Sequence, residues 1–543
     1  MDDIQKLVLE TISIDKQAIV FTPSRASAEK TAEDISKLTN FQFPQLEKEI
    51  LKAASTPTKQ CKRLSHCIRK GIAFHHAGLL QKQKDLIEEE FRKGAVRIIC
   101  CTPTLAVGMS LPAFRVIIKS LKRYSGRWGM DWIPVLEYLQ MAGRAGRPEF
   151  ESYGEAISIA NSDSDKEEIY ERYICGQPEE IYSKLAVEPV LRTYLLSLIS
   201  SGIIRDSNSM KEFFTKTFWA HQFKDMNKLE LIMEKMLVLL EEWGFVTINC
   251  FDDVNIVDKN SDKNYVNNSG SSVDGANLIR EDFVIAKELE EKKTNKKNKN
   301  EKRLRSTMLG KRISELYLDP LTARHLLDCM GKFNENKSVF SLLQMICHTL
   351  ELRPLLRIKS KEQDFIQEEL VKNYKLLLEE EPSVYDLEYD EFMNSIKTTL
   401  FFEEWINEKD EDFLLEKFSI RPGEIRVKIE TADWLLYASE ELAKLNDYKE
   451  AVKEIRKLRV RIKHGVKEEL LTLLKLKGIG RIRARKLYSH GFKDIGEVKK
   501  ADFTTLTQLL GRAIAESVKK QLGEEIKEVP KGKRKGQVSI LKY

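Results

Sequence analysis

The sequence holds no run of about 18 apolar residues, which argues against a hydrophobic membrane-spanning helix. Met1 is followed by Asp2-Asp3 rather than by a basic, apolar leader, so no signal peptide is expected and a cytoplasmic location follows. The eight cysteines, Cys61, Cys67, Cys100, Cys101, Cys175, Cys250, Cys329 and Cys347, include no CxxC pair and no zinc-type histidine spacing. They read as buried thiols of a reducing compartment. His75-His76 lacks a second ligand pair, so no metal is expected there. Two further absences matter more: no GxxxxGK[ST] loop to cradle phosphates and no DExH-type acidic box. No pocket of the chain's own for ATP is visible. What remains is 543 residues, 42% hydrophobic and 32% charged, an ordered composition that fits about three to five domains.

The basic excess is only +6, but it is uneven. From Arg461 onward 21 Lys+Arg stand against 9 Asp+Glu, a net of +12, which leaves −6 for the first 460 residues. A nucleic-acid contact at the basic end is the expectation; a merely solvated charged surface is the alternative.

Short β-rich runs at 17–22 (QAIVFT), 71–74 (GIAF), 97–102 (RIICCT), 115–118 (RVII) and 155–160 (EAISIA) alternate with helical stretches such as Ala26 to Leu38 and Gln81 to Lys93. That alternation predicts a parallel sheet covered on both faces over residues 1–175, with ligands at the carboxyl ends of its strands. Helices at Val187 to Ser201, Ser209 to Gln222 and Lys228 to Trp243, then a strand at Phe245 to Cys250, predict a winged helix over 176–320. Its wing is interrupted by 252–303, too polar to pack, which is expected to be disordered with room for a short helix at Val284 to Glu291. The spacings Phe340-Leu343-Ile346-Leu350 and Ile425-Ile429-Leu436 predict a helical bundle over 321–460. A compact basic module at 461–528 and a basic tail at 529–543 follow.

The segment Gln140-Met141-Ala142-Gly143-Arg144-Ala145-Gly146-Arg147-Pro148 sets two arginines three residues apart among glycines. Such a pair suits guanidinium groups aimed at the γ-phosphate of a nucleotide held by another domain, a role worth roughly 10³ to 10⁵ in rate elsewhere. A structural salt bridge is the rival. Thr22, Thr102 and Thr104, at strand ends, offer hydroxyl and N–H groups that hold a nucleic-acid backbone without reading bases. Gly108 permits close backbone approach near the nucleotide. Ile117 to Val135 reads as two strands joined by Ser125-Gly126-Arg127-Trp128-Gly129, a hairpin whose Tyr124 and Trp128 stack on the last pair of a duplex and wedge it open, or else one packed on its own domain. Leu474 to Leu487 contains Gly478-Ile479-Gly480 between two helical stretches. This is a helix-hairpin-helix pattern that presents N–H groups at Gly478 and Gly480 to a phosphate, with Arg481, Arg483 and Arg485 adding charge.

Several motifs in order make the first sheet resemble the second, RecA-like motor domain of superfamily 2 helicases. Phe21-Thr22-Pro23-Ser24-Arg25 looks like motif IV, His75-His76-Ala77-Gly78-Leu79 like the turn after the next strand, Thr102 to Pro112 like motif V and Gln140 to Pro148 like motif VI. With LAVEPVLRTYLLSLISSGII, FFTKTFWA, LGKRISELYLDPLTA and IRPGEIRVKIETADWLLYA, the chain from about residue 15 to 525 resembles the archaeal Hjm family of Ski-two-like DNA helicases. The fold this implies is multidomain α/β plus α: motor domain, winged helix, helical ratchet bundle and helix-hairpin-helix domain. The resemblance implies ATP and Mg2+ as cofactors, 3′ to 5′ movement on single-stranded DNA, and action at forked structures in replication restart and repair. It places Arg25 and His76 beside the nucleic acid, and Arg426 and Trp434 on the helix that crosses the emerging strand. Those two lie roughly 80° apart around a helix and can border one channel.

The family also has a first motor domain, and residues 1–15 match only the linker helix entering the second. A separate polypeptide carrying the Walker A and DExH motifs is therefore the expected partner, with a non-catalytic DNA-binding scaffold and an RNA helicase half as alternatives. Ser110 stands where Asn is expected, and Lys119-Ser120 where Arg-Asp is usual. Gln537, Ile540 and Tyr543 have the spacing of a truncated sliding-clamp peptide, set against a plain basic end.

Overall fold

Strands buried on both faces favour apolar side chains along their length, and four runs of the chain have them except at His75 and Arg115. In the computed structural model, which describes residues 1–54, 57–108, 111–124, 129–146, 152–224, 226–249, 302–334 and 337–523, leaving out the side chains of 107, 108, 124 and 249, they form the centre of one sheet. Strands β1 (Ala18–Phe21), β2 (Ile72–His75), β3 (Ile98–Cys101) and β4 (Arg115–Ile118) are buried throughout. The short strands β5 (Lys122–Tyr124) and β6 (Met130–Trp132) form a separate antiparallel ribbon, and β7 (Glu155–Ser158) closes the main sheet in the order β2-β3-β1-β4-β7, parallel throughout. Helices Arg25–Ser36 and Gln81–Arg92 fall within about a residue or two of expectation. Helices Pro44–Lys52 and Lys59–Arg69, which the β-run pattern did not mark, lie between β1 and β2.

The expected hairpin over Ile117 to Val135 needs correction, because Ile117 and Ile118 belong to β4 inside the sheet. The antiparallel pairing is confined to the shorter β5–β6 ribbon, with Lys122 paired to Trp132 and Tyr124 to Met130. Lys122 stacks over Trp132 at 4.2 Å and binds Asp165 at 2.9 Å, which fastens the base of the ribbon to the domain.

Beyond the sheet, helix Glu188–Ser200 is followed by Ser207–Thr215, Phe218–Phe223 and Met226–Glu242. The single helix expected over Ser209 to Gln222 is split because the Thr217 side chain accepts from Ala220 N and starts a new helix. Strand β8 (Val246–Asn249) pairs antiparallel with β9 (Arg303–Ser306), so the two arms of the expected wing meet. The helix expected at Val284 to Glu291 lies outside the described residues, as do the tail residues Gln537, Ile540 and Tyr543.

One continuous apolar core runs from Leu191 to Ile462, without a break at the expected boundary near residue 320. Arg192 and Asp319 meet across that boundary with Nε to Oδ1 at 2.6 Å and Nη2 to Oδ2 at 2.9 Å. Asp319 also caps helix Pro320–Lys332. The bundle is built around helix Pro422–Leu445, 24 residues and so about 36 Å long, with helix Lys449–His464 packed along it. A third core, Val466 to Val518, belongs to the basic module. Its first expected helix appears as tight turns at Glu468–Leu470 and Leu473–Lys475, after which come helices Arg481–Ser489, Ile495–Lys500, Phe503–Leu510 and Arg512–Gln521.

The Arg192–Asp319 pair yields a stability prediction. Arg192→Ala leaves a buried carboxylate without its cation and should lower stability by about 3 kcal/mol, read as a lower urea midpoint. Arg192→Met combined with Asp319→Asn, which keeps a capping oxygen, should recover most of the loss.

Candidate nucleotide and nucleic-acid interface

The carboxyl ends of β1, β2 and β3 open into a groove of about 790 Å³. Its walls bring together Ser24 and Arg25 after β1, Ala77 after β2, Thr102 and Thr104 after β3, Arg123 at the base of the ribbon, Gln140 of motif VI, and Arg421 from the far end of the chain. The Thr102 and Thr104 hydroxyls lie 2.9 Å apart, and Thr104 is exposed at the opening. Arg123 is held by Glu137 at 2.9 Å. Arg123 and Arg421 were missed in the sequence. Arg421 carries only a local signal, an Arg-Pro-Gly start to a helix, which says nothing about the sheet it reaches.

Three residues expected beside a nucleic acid are placed otherwise. Thr22 is buried, and its hydroxyl donates inward to Cys101 O at 3.1 Å, because the strand end must satisfy its own polar groups. Arg25 lines the groove, yet its guanidinium pairs with Glu424. His76 is fully buried, its ring stacked on Phe74 and its Nε2 at 3.1 Å from Glu29. Gly78 N donates to the His76 Nδ1 at 3.1 Å, which fixes the proton of the neutral ring on Nε2, facing Glu29. Burial pushes the His76 ring below its ordinary range. Burial opposes ionisation of Glu29 as well, but hydrogen bonds from His76 and Gln60 and the charge of Arg421 outweigh it and hold the carboxyl down to about 2.

Motif VI begins on helix Val135–Ala142, whose first two N–H groups, of Val135 and Leu136, donate to the Glu179 carboxylate at 2.6 and 3.1 Å. The segment after the helix is stitched to the lead-in of β4: Ala113 N donates to Arg144 O at 2.9 Å and Gly146 N to Ala113 O at 2.7 Å. Gly146 has φ +89° and lies against the backbone of Gly154, so this turn requires glycine. Arg144 donates through Nη2 to Ala106 O in the helix Thr104–Gly108, which Gly108 ends, so motif VI is tied to motif V. Among the described residues the buried Nε of Arg144 has no hydrogen-bond partner. A buried guanidinium donor lacking an acceptor fits an anionic phosphate oxygen. Among the described residues no group of three or more His, Cys, Asp or Glu is arranged to hold a metal ion. Arg147, Ser110 and Trp128 lie outside the described residues, and of Tyr124 only the backbone, at the end of β5, is described.

On helix Pro422–Leu445, Arg426 is exposed and pairs with Glu430 one turn on at 3.0 Å, and Val427 beside it is also exposed. Trp434 is half-buried against the bundle core, and its Nε1–H donates to Leu316 O at 3.3 Å. Its indole is therefore partly engaged by the fold and not free.

In the basic module Gly478 takes φ +89°, and the space where a Cβ of Gly480 would sit is open. Gly480 starts helix Arg481–Ser489 without a side-chain cap, which leaves the backbone end free for an anion. The three arginines are not equivalent. Arg481 stacks over Trp405 at 5.2 Å and donates to Lys409 O at 2.7 Å. Arg485 binds Glu408 at 2.7 Å and Glu469 at 2.8 Å. Arg483 is the exposed one of the three and among the described residues has no carboxylate partner, its Nη1 donating to Gly478 O at 2.9 Å. The turn faces Asp410, Glu411 and Asp412 across a cavity of about 750 Å³. A second glycine turn, Gly511 with φ +85° before helix Arg512–Gln521, was also missed. Leu510-Gly511-Arg512 is its only sequence signal.

Comparison with known proteins agrees with this layout. Residues 1–149 match the helicase conserved C-terminal domain, 340–465 match archaeal helicase, domain 4, and 470–524 match a SAM-like helix-hairpin-helix tandem. The chain is 33% identical over 97% of its length to an ATP-dependent DNA helicase Hel308 of Methanocella arvoryzae, covering 66% of that protein. It is 34% identical to those of Pyrococcus horikoshii, over 98% of this chain and 67% of the relative, and Methanococcus vannielii, over 96% and 68%. The chain thus spans about two thirds of the length of these relatives. Among the described residues no helix is long and apolar enough to cross a membrane.

Two measurements follow from this geometry. Arg483→Ala should weaken nucleic-acid binding evenly across sequences and lower the salt slope of the binding constant by about 1, whereas Arg485→Ala should chiefly loosen the module from Glu408, read as earlier melting. Glu29 and His76 both titrate lower in the folded chain than in the unfolded one, so the unfolded state binds more protons and stability is lost as the pH is lowered. The His76 share should decline below the ordinary value of 6.5, and the Glu29 share between 4.5 and about 2. Urea unfolding across that range should show Glu29→Gln removing the part between 4.5 and about 2, while a decline below 6.5 persists because burial, and not Glu29, lowers the His76 ring.

Proposed function

This chain belongs to the Hel308 family of archaeal DNA helicases, and from that premise we propose that it forms the C-terminal part of an ATP-dependent, 3′ to 5′ helicase acting on single-stranded and forked DNA. The observation that carries the reading is the groove at the strand ends, where motifs IV, V and VI converge on Arg421. Ser24, Thr102 and Thr104 grip a strand backbone there without reading bases. Arg144, with its unpartnered Nε, and Arg147 after it in the sequence, are the arginines offered to phosphate. Bound ATP supplies the phosphoryl group whose transfer drives movement. Its phosphate cradle and Mg2+ site belong to a nucleotide-binding motor half not contained in these 543 residues. In the split form of this reading a separate polypeptide carries that half; the same geometry serves a half borne on a longer chain. Helices Glu188–Ser200 to Met226–Glu242 with the β8–β9 ribbon are read as the winged helix, and Pro422–Leu445 as the helix lying across the emerging strand. The β5–β6 ribbon is read as the wedge.

The test uses the purified chain with and without a nucleotide-binding half from a relative. Alone, the chain should bind forked DNA in a salt-sensitive way and hydrolyse no ATP. With the added half, DNA-stimulated hydrolysis should appear, and Arg144→Ala or Arg147→Ala should lower it by about 10³-fold or more. A reconstituted pair that binds DNA yet stays inactive would make the chain a binding scaffold. Tighter binding of matched RNA than of forked DNA would move the substrate class.

A further inference from the structure

Helix Pro422–Leu445 does not merely touch the motor domain; its first turn is built into it. Gly423 N donates to Gly78 O at 3.1 Å. A Cβ on Gly423 would lie 2.5 Å from Leu79 O and closer still to Ala77 O, and a Cβ on Gly78 would lie 2.5 Å from the Arg421 Cδ. Two backbones therefore meet with no side chain between them. On one side Arg421 donates through Nε to the buried Glu29 at 3.2 Å, and that carboxylate also receives Gln60 at 2.9 Å and His76 at 3.1 Å. On the other side Arg25 pairs with Glu424, whose second oxygen accepts from Arg421 N at 3.1 Å. A further tie joins Lys59 N to Asp412 at 3.0 Å, at the start of helix Glu411–Phe418.

We infer that this junction makes helix Pro422–Leu445 a rigid lever of the motor sheet, with Gly423, Arg421 and Glu29 as positioning residues that hold the exposed Arg426–Val427 face at a fixed offset from the Thr102–Thr104 grip. Arg421 lines the groove and starts the helix, so the two proposed strand contacts share one wall. Displacement of the sheet is passed to the helix, because sliding would take Arg421 from the buried Glu29 carboxylate and leave it Arg63 as its one cation, at 2.5 Å on the other oxygen, and would part the Gly78–Gly423 backbone contact. The helix is held in the bundle as well, by Ala432, Leu435, Leu436 and Leu442, so the bundle moves with the sheet rather than with another body. The functional consequence rests on the helicase reading, whereas the rigidity does not.

The rigidity is measured in the full chain, without ATP, as the distance distribution between spin labels at the exposed positions Lys82 and Asp447, with Cys175 and Cys250 replaced by serine. One narrow distribution is expected, unchanged by single-stranded DNA. Gly423→Ala should broaden it or split it in two, although alanine is the better helix former and keeps the helix itself. Glu29→Gln, which removes the charge but keeps the shape, should do the same. A broad wild-type distribution, or a narrow one untouched by both variants, would overturn the inference. With the nucleotide-binding half added, Gly423→Ala should keep DNA-stimulated hydrolysis within about twofold while unwinding falls about tenfold or more, the scale of a small misplacement. Equal loss of both activities would show ordinary structural damage and also overturn it. If the wild-type pair unwinds nothing, the helicase reading fails and the label distances still decide the junction.

Discussion

A carboxylate as buried as that of Glu29 is stable only where other donors replace the water it has lost. Its donors come from the turn after β2, from helix Lys59–Arg69 and from the residue that opens helix Pro422–Leu445. The consequence reaches beyond one ion pair. His76 is fixed as a neutral donor because Glu29 faces its Nε2 and Gly78 N faces its Nδ1. Gly78 in turn presents its carbonyl to Gly423. The strand-end groove thus has one wall from the sheet and one from a residue nearly 400 positions later, and both are set by the same charge.

This explains which parts of the site were legible beforehand. Strands β1 to β4 were readable because burial on both faces writes itself as a mostly apolar run, broken only by His75 and Arg115, and motifs at strand ends could be placed from those runs. The chemistry of single residues was less readable. Thr22, Arg25 and His76 have types suited to holding a phosphate backbone, but type and local spacing do not reveal a partner such as Glu424 or a burial such as that of His76. The same limit applies at the basic module. Arg481, Arg483 and Arg485 look alike in sequence, and only the fold, by bringing Glu408 and Trp405 against two of them, separates the exposed one from the structural ones. The hairpin was misjudged for a different reason: Ile117 and Ile118 fit a projecting strand and a sheet strand equally well, and parallel pairing with β1 and β7 decides between them.

Charge follows the same logic. The last 83 residues carry +12 of formal charge, which suggests a uniformly cationic surface. Part of that charge is spent inside the molecule, since Arg485 is matched by Glu408 and Glu469 and Arg481 is engaged by Trp405 and the carbonyl of Lys409. Of the three arginines at this turn, Arg483 remains outward beside the open Gly480, while Lys477, Lys486, Lys493, Lys499 and Lys500 stay exposed elsewhere on the module. Backbone N–H groups at an uncapped helix start add to that charge donors that are fixed in place.

Motif VI shows how a residue can serve the fold and still be available for chemistry. A guanidinium is a fork of five N–H donors in fixed geometry. Arg144 uses one arm to hold Ala106 O, which keeps motif V and motif VI in register, while its buried Nε remains without an acceptor. Leaving such a donor unsatisfied costs the protein stability. The cost is offset if an anionic oxygen enters at that point, so the same side chain that ties the two motifs together is biased toward a phosphate. The bias is useful only if the arginine cannot relax away. The hydrogen bonds between Ala113 and residues 144 and 146, together with the contact of Gly146 on Gly154, deny it that freedom.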